Sequence, residues 1–211
     1  MDLRVEKNIT TIVIVLLALI AAGMLSYGAF SYYRSSLSEK AHEAFMRHYA
    51  SFEKISSENG KPSQELLAVV AQDYAQYKRS SFGSFFLALQ AEMQQLTGNK
   101  QEALESMDKA IQGMSTADPV LYYVYATKHA LMQIDATDPS VQTRGRKALE
   151  KLANTIKNPM RDMAIFYMGY QAFLEQDNAG VHTAWSKLFD AQGNPASAWG
   201  MRAQALRNYT A

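Results

Sequence analysis

The chain has 211 residues, with 21 Lys and Arg against 20 Asp and Glu and a net charge of +1. Such a near-neutral chain lacks the basic surface on which nucleic-acid binding depends. Because it contains no cysteine, disulfides, thiolate metal sites, covalent haem attachment and lipid-modified cysteine are excluded.

The first predicted element is an apolar helix. No charged residue lies between Lys7 and Arg34, and about 20 apolar residues are enough to cross a bilayer. We therefore expect a short tail over residues 1–8 and a transmembrane helix over residues 9–30. A cleaved signal peptide is the alternative, but its apolar region is usually shorter, and residues 26–28 (Ser-Tyr-Gly) match a cleavage site poorly. Basic residues flank it on both sides, so charge leaves its orientation open.

Two features of this segment point to contacts with its surroundings. Small residues recur every four positions, a pattern that permits close helix–helix contact in lipid, and they are Ala18, Ala22 and Ser26. The same pattern also arises from composition alone. The aromatic residues at the far end fit the belt of a membrane interface, and they are Tyr27, Tyr32 and Tyr33.

The rest of the chain repeats apolar residues at spacings of three and four, which predicts helices throughout. Residues 36–39 (Ser-Leu-Ser-Glu) have the form of a capping box and favour a new helix that starts at Ser36. An unbroken helix is the alternative, since no Gly or Pro interrupts residues 30–57. Asn59 and Gly60 end this element, and residues 36–79 are expected to form a helical hairpin.

Residues 81–211 are predicted to form three further helical pairs and a C-terminal capping helix. The expected pairs are 82–96 with 101–111, 119–134 with 141–156, and 159–176 with 179–191, and the last helix follows Pro195. Hairpins at a period of about 34 residues are typical of tetratricopeptide repeats. The predicted fold is therefore all-α: a transmembrane helix followed by an α-solenoid of degenerate tetratricopeptide-like hairpins. An unrelated helical bundle is the alternative.

The two helices of such a repeat approach closely where small residues meet. We place these residues at Ala91, Ala126 and Gly169 in the first helices, and at Ala103, Ala148 and Val181 in the second. The spacing between the two sites is larger in the middle pair than in the others. It predicts an insertion of about ten residues over 135–144.

The first helix of each repeat is expected to line a concave surface. Counting from the small residues, the inward positions also include Ala88, Val120 and Met163. The candidate partner groove consists of Phe85, Glu92, Tyr123, Thr127, Phe166 and Tyr170. Aromatic side chains with polar tips are good anchors for peptides. The alternative is that a short array folds over this surface and buries these residues as core.

No residue pattern points to catalysis, a metal or a cofactor. His42, Glu43 and His48 superficially resemble a zinc-protease motif, but the histidines are six residues apart and face different directions on a helix. His129 and His182 have no partner at ligand spacing. Phosphate-binding and nucleophile motifs are absent from the sequence. We expect a protein that is not an enzyme and has no small-molecule substrate.

Charge is unevenly distributed along the helical region. Residues 92–138 are acidic, and residues 144–161 are basic. These stretches are either solvated helix faces that neutralise one another or, for the basic stretch, a surface for anionic lipid or an acidic partner.

At full length, the chain resembles the ancillary SecYEG translocon subunit family (YfgM-like). The resemblance rests on an N-terminal span followed by degenerate repeats in a characteristic order. The residues that carry it are 60–62 (Gly-Lys-Pro), Phe82 with Gly83, 98–103 (Gly-Asn-Lys-Gln-Glu-Ala), 176–180 (Gln-Asp-Asn-Ala-Gly), and Ala184 with Trp185. The segment 135–144 departs from the compact hairpin of the family.

This resemblance implies a bacterial inner-membrane protein with a cytoplasmic N-terminus and a periplasmic repeat domain. It also implies association with the SecYEG translocon and with a membrane-anchored chaperone of the peptidyl-prolyl isomerase type. Two alternatives stay open. One is a scaffold or assembly factor for another envelope complex, such as cytochrome biogenesis or secretion machinery. The other is a structural membrane protein that self-associates.

Overall fold

The computed structural model describes residues 3–114 and 119–207, with the side chains of the first helix described from residue 24 onward except at positions 25, 26 and 29. Within these ranges the chain forms helices and no β-strand, which confirms the all-α prediction. The helices are α1 (Leu3–Ser57), α2 (Gln64–Tyr77), α3 (Gly83–Thr97), α4 (Lys100–Gly113), α5 (Pro119–Ile134), α6 (Pro139–Asn154), α7 (Arg161–Leu174), α8 (Asn178–Trp185) and α9 (Ala198–Arg207).

Each helix packs mainly on its neighbours in the sequence. The most extensive contacts join α3 to α4, α5 to α6, and α7 to α8, which are the three predicted pairs. Further contacts join α2 to α3, α4 to α5, and α6 to α7, so that successive pairs stack on one another. Contact between sequence neighbours is the layout typical of helical-repeat arrays.

The predicted helix break at Ser36 is absent, because α1 continues to Ser57. Beyond Ser36 this helix buries Ala41, Phe45 and Phe52 against α2 and α3. That burial favours continuation over the hydrogen bonds of a capping box, which would require the backbone to leave the helix at Ser36. The helix ends at Ser57, and the predicted end signal Asn59 follows it with a left-handed φ of 54°.

The membrane segment is described only in part. Among the residues whose side chains are described, no helix is long and apolar enough to cross a membrane. The side chains of most of the predicted span 9–30 lie outside the described residues. So do those of the predicted contact residues Ala18, Ala22 and Ser26.

The turns between paired helices follow the sequence signals. Gly98 ends α3 with φ 90°, and its N–H donates to the Gln95 carbonyl at 3.1 Å. Gln176 takes the same left-handed conformation after α7, with φ 60°. A residue with a side chain is strained there by about 1–2 kcal/mol. The Asp177 carboxylate then caps α8 by accepting from the Gly180 N–H at 3.0 Å.

The predicted insertion over 135–144 is wrong. Residues 135–138 form a short connection, and α6 begins at Pro139, where Asp138 accepts from the Ser140 N–H at 2.7 Å. The closest approach of the two helices occurs at Gly145, because a Cβ there would lie 2.7 Å from the Ala130 carbonyl oxygen. The predicted pair, Ala126 with Ala148, lies about one turn further from the connection than Ala130 and Gly145, which created the apparent extra residues.

The C-terminal part closes around two tryptophans. Trp185 is fully buried, and its indole Nε1–H donates to the Phe166 carbonyl at 2.9 Å. Gly169 makes room for this indole. Helix α9 packs on α7 and brings the Trp199 ring to 5.3 Å from that of Phe166. The predicted C-terminal capping helix is therefore present, although α8 ends at Trp185 and not near residue 191.

Candidate protein-binding groove

An apolar groove of about 690 Å³ lies between α1, the start of α3 and the start of α5. Helix α1 forms one wall with residues spaced i, i+3, i+4 and i+7, which is one face of a helix. The lining residues are His42, Phe45, Met46, Tyr49, Ser81, Phe82, Phe85, Met114, Leu121, Val124, Tyr125 and Lys128. The groove is thus built from three helices that are far apart in the sequence.

Aromatic contacts hold the α1 wall in place. The ring of Phe45 lies 5.9 Å from that of Phe82 and 6.0 Å from that of Phe85. His42 stacks on Phe82 at 4.9 Å, and Phe85 contacts Tyr125 of α5 at 5.9 Å. These separations are those of favourable aromatic pairs. The groove therefore has a rigid floor that connects α1, α3 and α5.

Charge enters the groove at one place. Lys128 Nζ lies 2.6 Å from Glu92 Oε1 and 5.2 Å from the centre of the Tyr125 ring. Burial raises the pKa of Tyr125, and the charge of Glu92 and the nearby Tyr49 add to this effect. The phenol is therefore neutral at physiological pH. Lys128 and Glu92 thus form a pre-paired cation and carboxylate beside an otherwise apolar surface.

The groove continues past this ion pair. A second hollow of about 390 Å³ shares Lys128 with the wall of the first, is also lined by Glu92, and extends toward the end of α1. Its other lining residues are Phe52, Ser56, Gln95, Leu96, Leu131, Met132 and Asp135. Together the two hollows form a track along α1. The first hollow lies beside residues 42–49 of this helix, and the second lies beside Phe52 and Ser56.

Two of the six predicted groove residues line this track, namely Phe85 and Glu92. Thr127 is 0% exposed, and its Oγ1 donates back to the Tyr123 carbonyl at 2.8 Å. Phe166 is 8% exposed and belongs to the C-terminal core, where Tyr170 stacks on it at 6.2 Å.

The positions also predicted to face inward at Ala88 and Met163 are buried as well. Thr127, Phe166, Ala88 and Met163 are thus part of the core, which was the alternative to a partner groove.

The error on α5 is a shift of one residue. The groove is lined by Leu121, Val124 and Lys128, where the prediction had Val120, Tyr123 and Thr127. One residue is about 100° of rotation on an α-helix, which turns a groove-facing side chain aside. The rotation of α5 about its axis depends on its packing against α4 and α6, which the spacing of small residues does not show.

Sequence reasoning missed the α1 wall entirely. The signal was available, because His42, Phe45, Met46 and Tyr49 have the spacing of one helix face. The prediction assigned α1 to the N-terminal hairpin and the groove to the repeats, so it did not include this face in the groove. Only the packing of α1 on α3 shows that the two share one surface.

Two histidines each pair with a single carboxylate. His48 Nε2 lies 2.7 Å from Asp73, and His129 Nε2 lies 2.8 Å from Asp108. Burial lowers the pKa of His129, and the opposing attraction of Asp108 only partly offsets this effect. In the part of the chain that the structure describes, no group of three or more His, Cys, Asp or Glu is arranged to hold a metal.

Comparison with protein-family models, with curated proteins and with solved structures finds no match to this chain. The groove and the sequence therefore carry the functional argument.

Proposed function

We propose that this chain is a membrane-anchored protein-interaction module that holds a segment of a partner protein in the groove between α1, α3 and α5. The observation that carries this proposal is the groove itself, an apolar track of about 690 Å³ with an aromatic floor. We assign its setting from the resemblance of the sequence: degenerate tetratricopeptide-like repeats on the periplasmic side of a bacterial inner membrane, beside the SecYEG translocon and its chaperone.

The shape of the groove favours a single peptide segment. Helix α1 closes one side, so the partner must enter as one helix or one extended strand and not as a flat surface. Met46 is 48% exposed on this wall, and methionine adapts to different apolar side chains. Such a site suits a partner whose sequence varies, as newly translocated chains do, or one apolar segment of a chaperone.

A site-specific crosslinker tests this proposal. A photoreactive phenylalanine analogue replaces Met46 in the full chain, is activated in intact membranes, and captured neighbours are identified by mass spectrometry. The matched control replaces Val69 of α2, which is 44% exposed and lies outside the groove. We expect translocon subunits, a periplasmic chaperone or secreted chains from Met46 and none of these from Val69.

Other results of this experiment have defined meanings. Equal products from both positions, or no product from Met46, contradict a binding groove. Capture of a second copy of this chain alone favours the self-associating structural protein. Capture of subunits of a different envelope complex keeps the groove but replaces the Sec setting with that of another assembly.

A further inference from the structure

Another cavity, separate from both hollows of the groove, lies between α1 and the C-terminal end of α2. It has a volume of about 440 Å³. Its lining residues are Phe30, Tyr33, Arg34, Leu37, Ala75, Gln76, Lys78 and Arg79. The set contains three cationic side chains, two aromatic ones and no carboxylate.

The three cations are available to a ligand. Arg34, Lys78 and Arg79 are all exposed, and no ion pair in the described part of the chain involves them. Arg34 comes from α1, and Lys78 and Arg79 come from the turn that directly follows α2; all three line one cavity. Three unpaired cations at one site repel one another, so an anionic ligand would lower the energy of this arrangement.

The position of the cavity along α1 indicates which class of anionic ligand it could bind. Exposed apolar and aromatic side chains precede it on this helix, with exposed fractions between 60% and 78%, and they are Met24, Tyr27, Phe30, Tyr32 and Tyr33. They form the last part of the uncharged segment between Lys7 and Arg34. Aromatic rings followed at once by cations are the pattern of a membrane interface, where the rings lie among the headgroups.

Packing holds the C-terminal end of α2 beside the part of α1 that lines the cavity. Tyr77 is buried, and its ring stacks on that of Phe86 at 6.0 Å. His48 and Asp73 pair at 2.7 Å and join α1 to α2 above the cavity. Lys78 and Arg79 follow Tyr77 directly, in the turn that ends α2, so the buried Tyr77 holds them close to Arg34.

We propose that Arg34, Lys78 and Arg79 bind the phosphate groups of anionic phospholipids in the same bilayer that α1 enters. Guanidinium groups bind phosphate oxygens in pairs, and Tyr33 lies beside them at headgroup depth. This site rests on the membrane anchor of the proposed function. It adds a second attachment of the domain to the bilayer, through α2, and so restricts the tilt of the domain about α1.

This attachment would fix the distance between the groove and the bilayer surface. Met46 follows Tyr33 by 13 positions on the unbroken helix α1, which corresponds to about 20 Å along its axis. A domain docked at the headgroups would thus present the groove at a constant distance from the bilayer.

The test uses the full chain in lipid nanodiscs. Because the protein has no cysteine, a Gln72→Cys substitution places a single fluorophore on the exposed side of α2. Quenching by a nitroxide lipid then reports the distance to the bilayer. We expect quenching to rise as phosphatidylglycerol replaces phosphatidylcholine. Removal of all three cations by Arg34→Gln, Lys78→Gln and Arg79→Gln should abolish this rise.

Single variants give the magnitude. A cation near an anionic surface contributes about fivefold to the binding constant, so at a fixed phosphatidylglycerol fraction Arg79→Gln should lower the equilibrium constant for docking, measured by quenching, by about fivefold. The matched control removes three cations of α6 by Arg144→Gln, Lys147→Gln and Lys151→Gln. It should leave the lipid dependence unchanged.

Two negative results are distinguishable. If the chain stays in the nanodisc but quenching is the same in both lipids, or if the α6 control has the effect of the site variants, the lipid site is overturned and the anchor stands. If the chain leaves the membrane fraction on alkaline extraction, both the anchor of the proposed function and this site are overturned.

Discussion

The packing of Gly169 against Trp185 gives the sharpest prediction about stability. A Cβ added at Gly169 would lie against Nε1 and Cδ1 of the indole and 2.7 Å from Cε2. Carbon atoms in contact are about 3.5–4.0 Å apart. The Gly169→Ala variant therefore has to move the indole by about 1 Å, which breaks its hydrogen bond to the Phe166 carbonyl.

The expected cost combines three effects. Overpacking a core costs about 1–3 kcal/mol. Loss of the indole hydrogen bond costs about 1 kcal/mol more. Alanine is a better helix former than glycine by about 1 kcal/mol, which offsets part of the loss. We expect Gly169→Ala to lower the free energy of unfolding by about 1–3 kcal/mol.

The assay is urea unfolding of the full chain in detergent, followed by tryptophan fluorescence. Trp185 and Trp199 are the two tryptophans of the protein, so this signal reports the C-terminal core directly. The control is Gly113→Ala, where the new Cβ meets only the Ser84 hydroxyl, which can rotate away. It should change stability by less than about 1 kcal/mol.

A double-mutant cycle tests the cause. In Trp185→Phe the indole is gone, so adding Gly169→Ala should cost at least about 1 kcal/mol less than it does in the native chain. Additive effects, or a Gly169→Ala variant as stable as the native protein, would refute the argument from this contact.

Three further predictions concern other parts of the fold. Glu92→Gln and Lys128→Met should show a coupling energy of about 1 kcal/mol in urea unfolding, because their ion pair is partly screened by water; additive effects would contradict it. Since burial lowers the pKa of His129 despite Asp108, its stabilising contribution is complete above about pH 6.5 and is lost as the pH falls through the lowered value. His129→Gln should therefore lose less stability than the native chain between about pH 7.5 and about pH 5.5, and an equal loss would show that another group titrates. Gln176→Gly should raise the free energy of unfolding by about 0.5–1 kcal/mol by removing left-handed strain; a loss would mean that the side chain makes a compensating contact.

Local signals in the sequence predicted the helices well. The period of three and four residues placed the three pairs, and Gly98 and Asn59 marked turns that the structure shows. Such signals act within a few residues, where backbone conformation and hydrogen bonding decide the outcome. The capping-box sequence at Ser36 is a local signal that was overridden, because burial of the following turns of α1 favours an unbroken helix.

The candidate site depended on contacts that the sequence does not show. Phe85 and Glu92, which the sequence predicted to face a partner groove, each line one of the two hollows. On α5 the residues that line the groove are offset by one position from the predicted ones, because the rotation of α5 about its axis depends on its packing against α4 and α6. The α1 wall, with Met46 on it, was not predicted as part of the groove.

By itself, the sequence determined the helical class, the pairing of neighbouring helices and the uncharged segment after Lys7, because each of these follows from composition and short-range periodicity. Tertiary structure decided which helix faces meet. The rotation of a helix about its axis depends on how side chains fit against a neighbour, and one residue of error turns the face by about 100°. The groove against α1 and the cationic cavity at the end of α2 therefore became visible only when the helices were packed together.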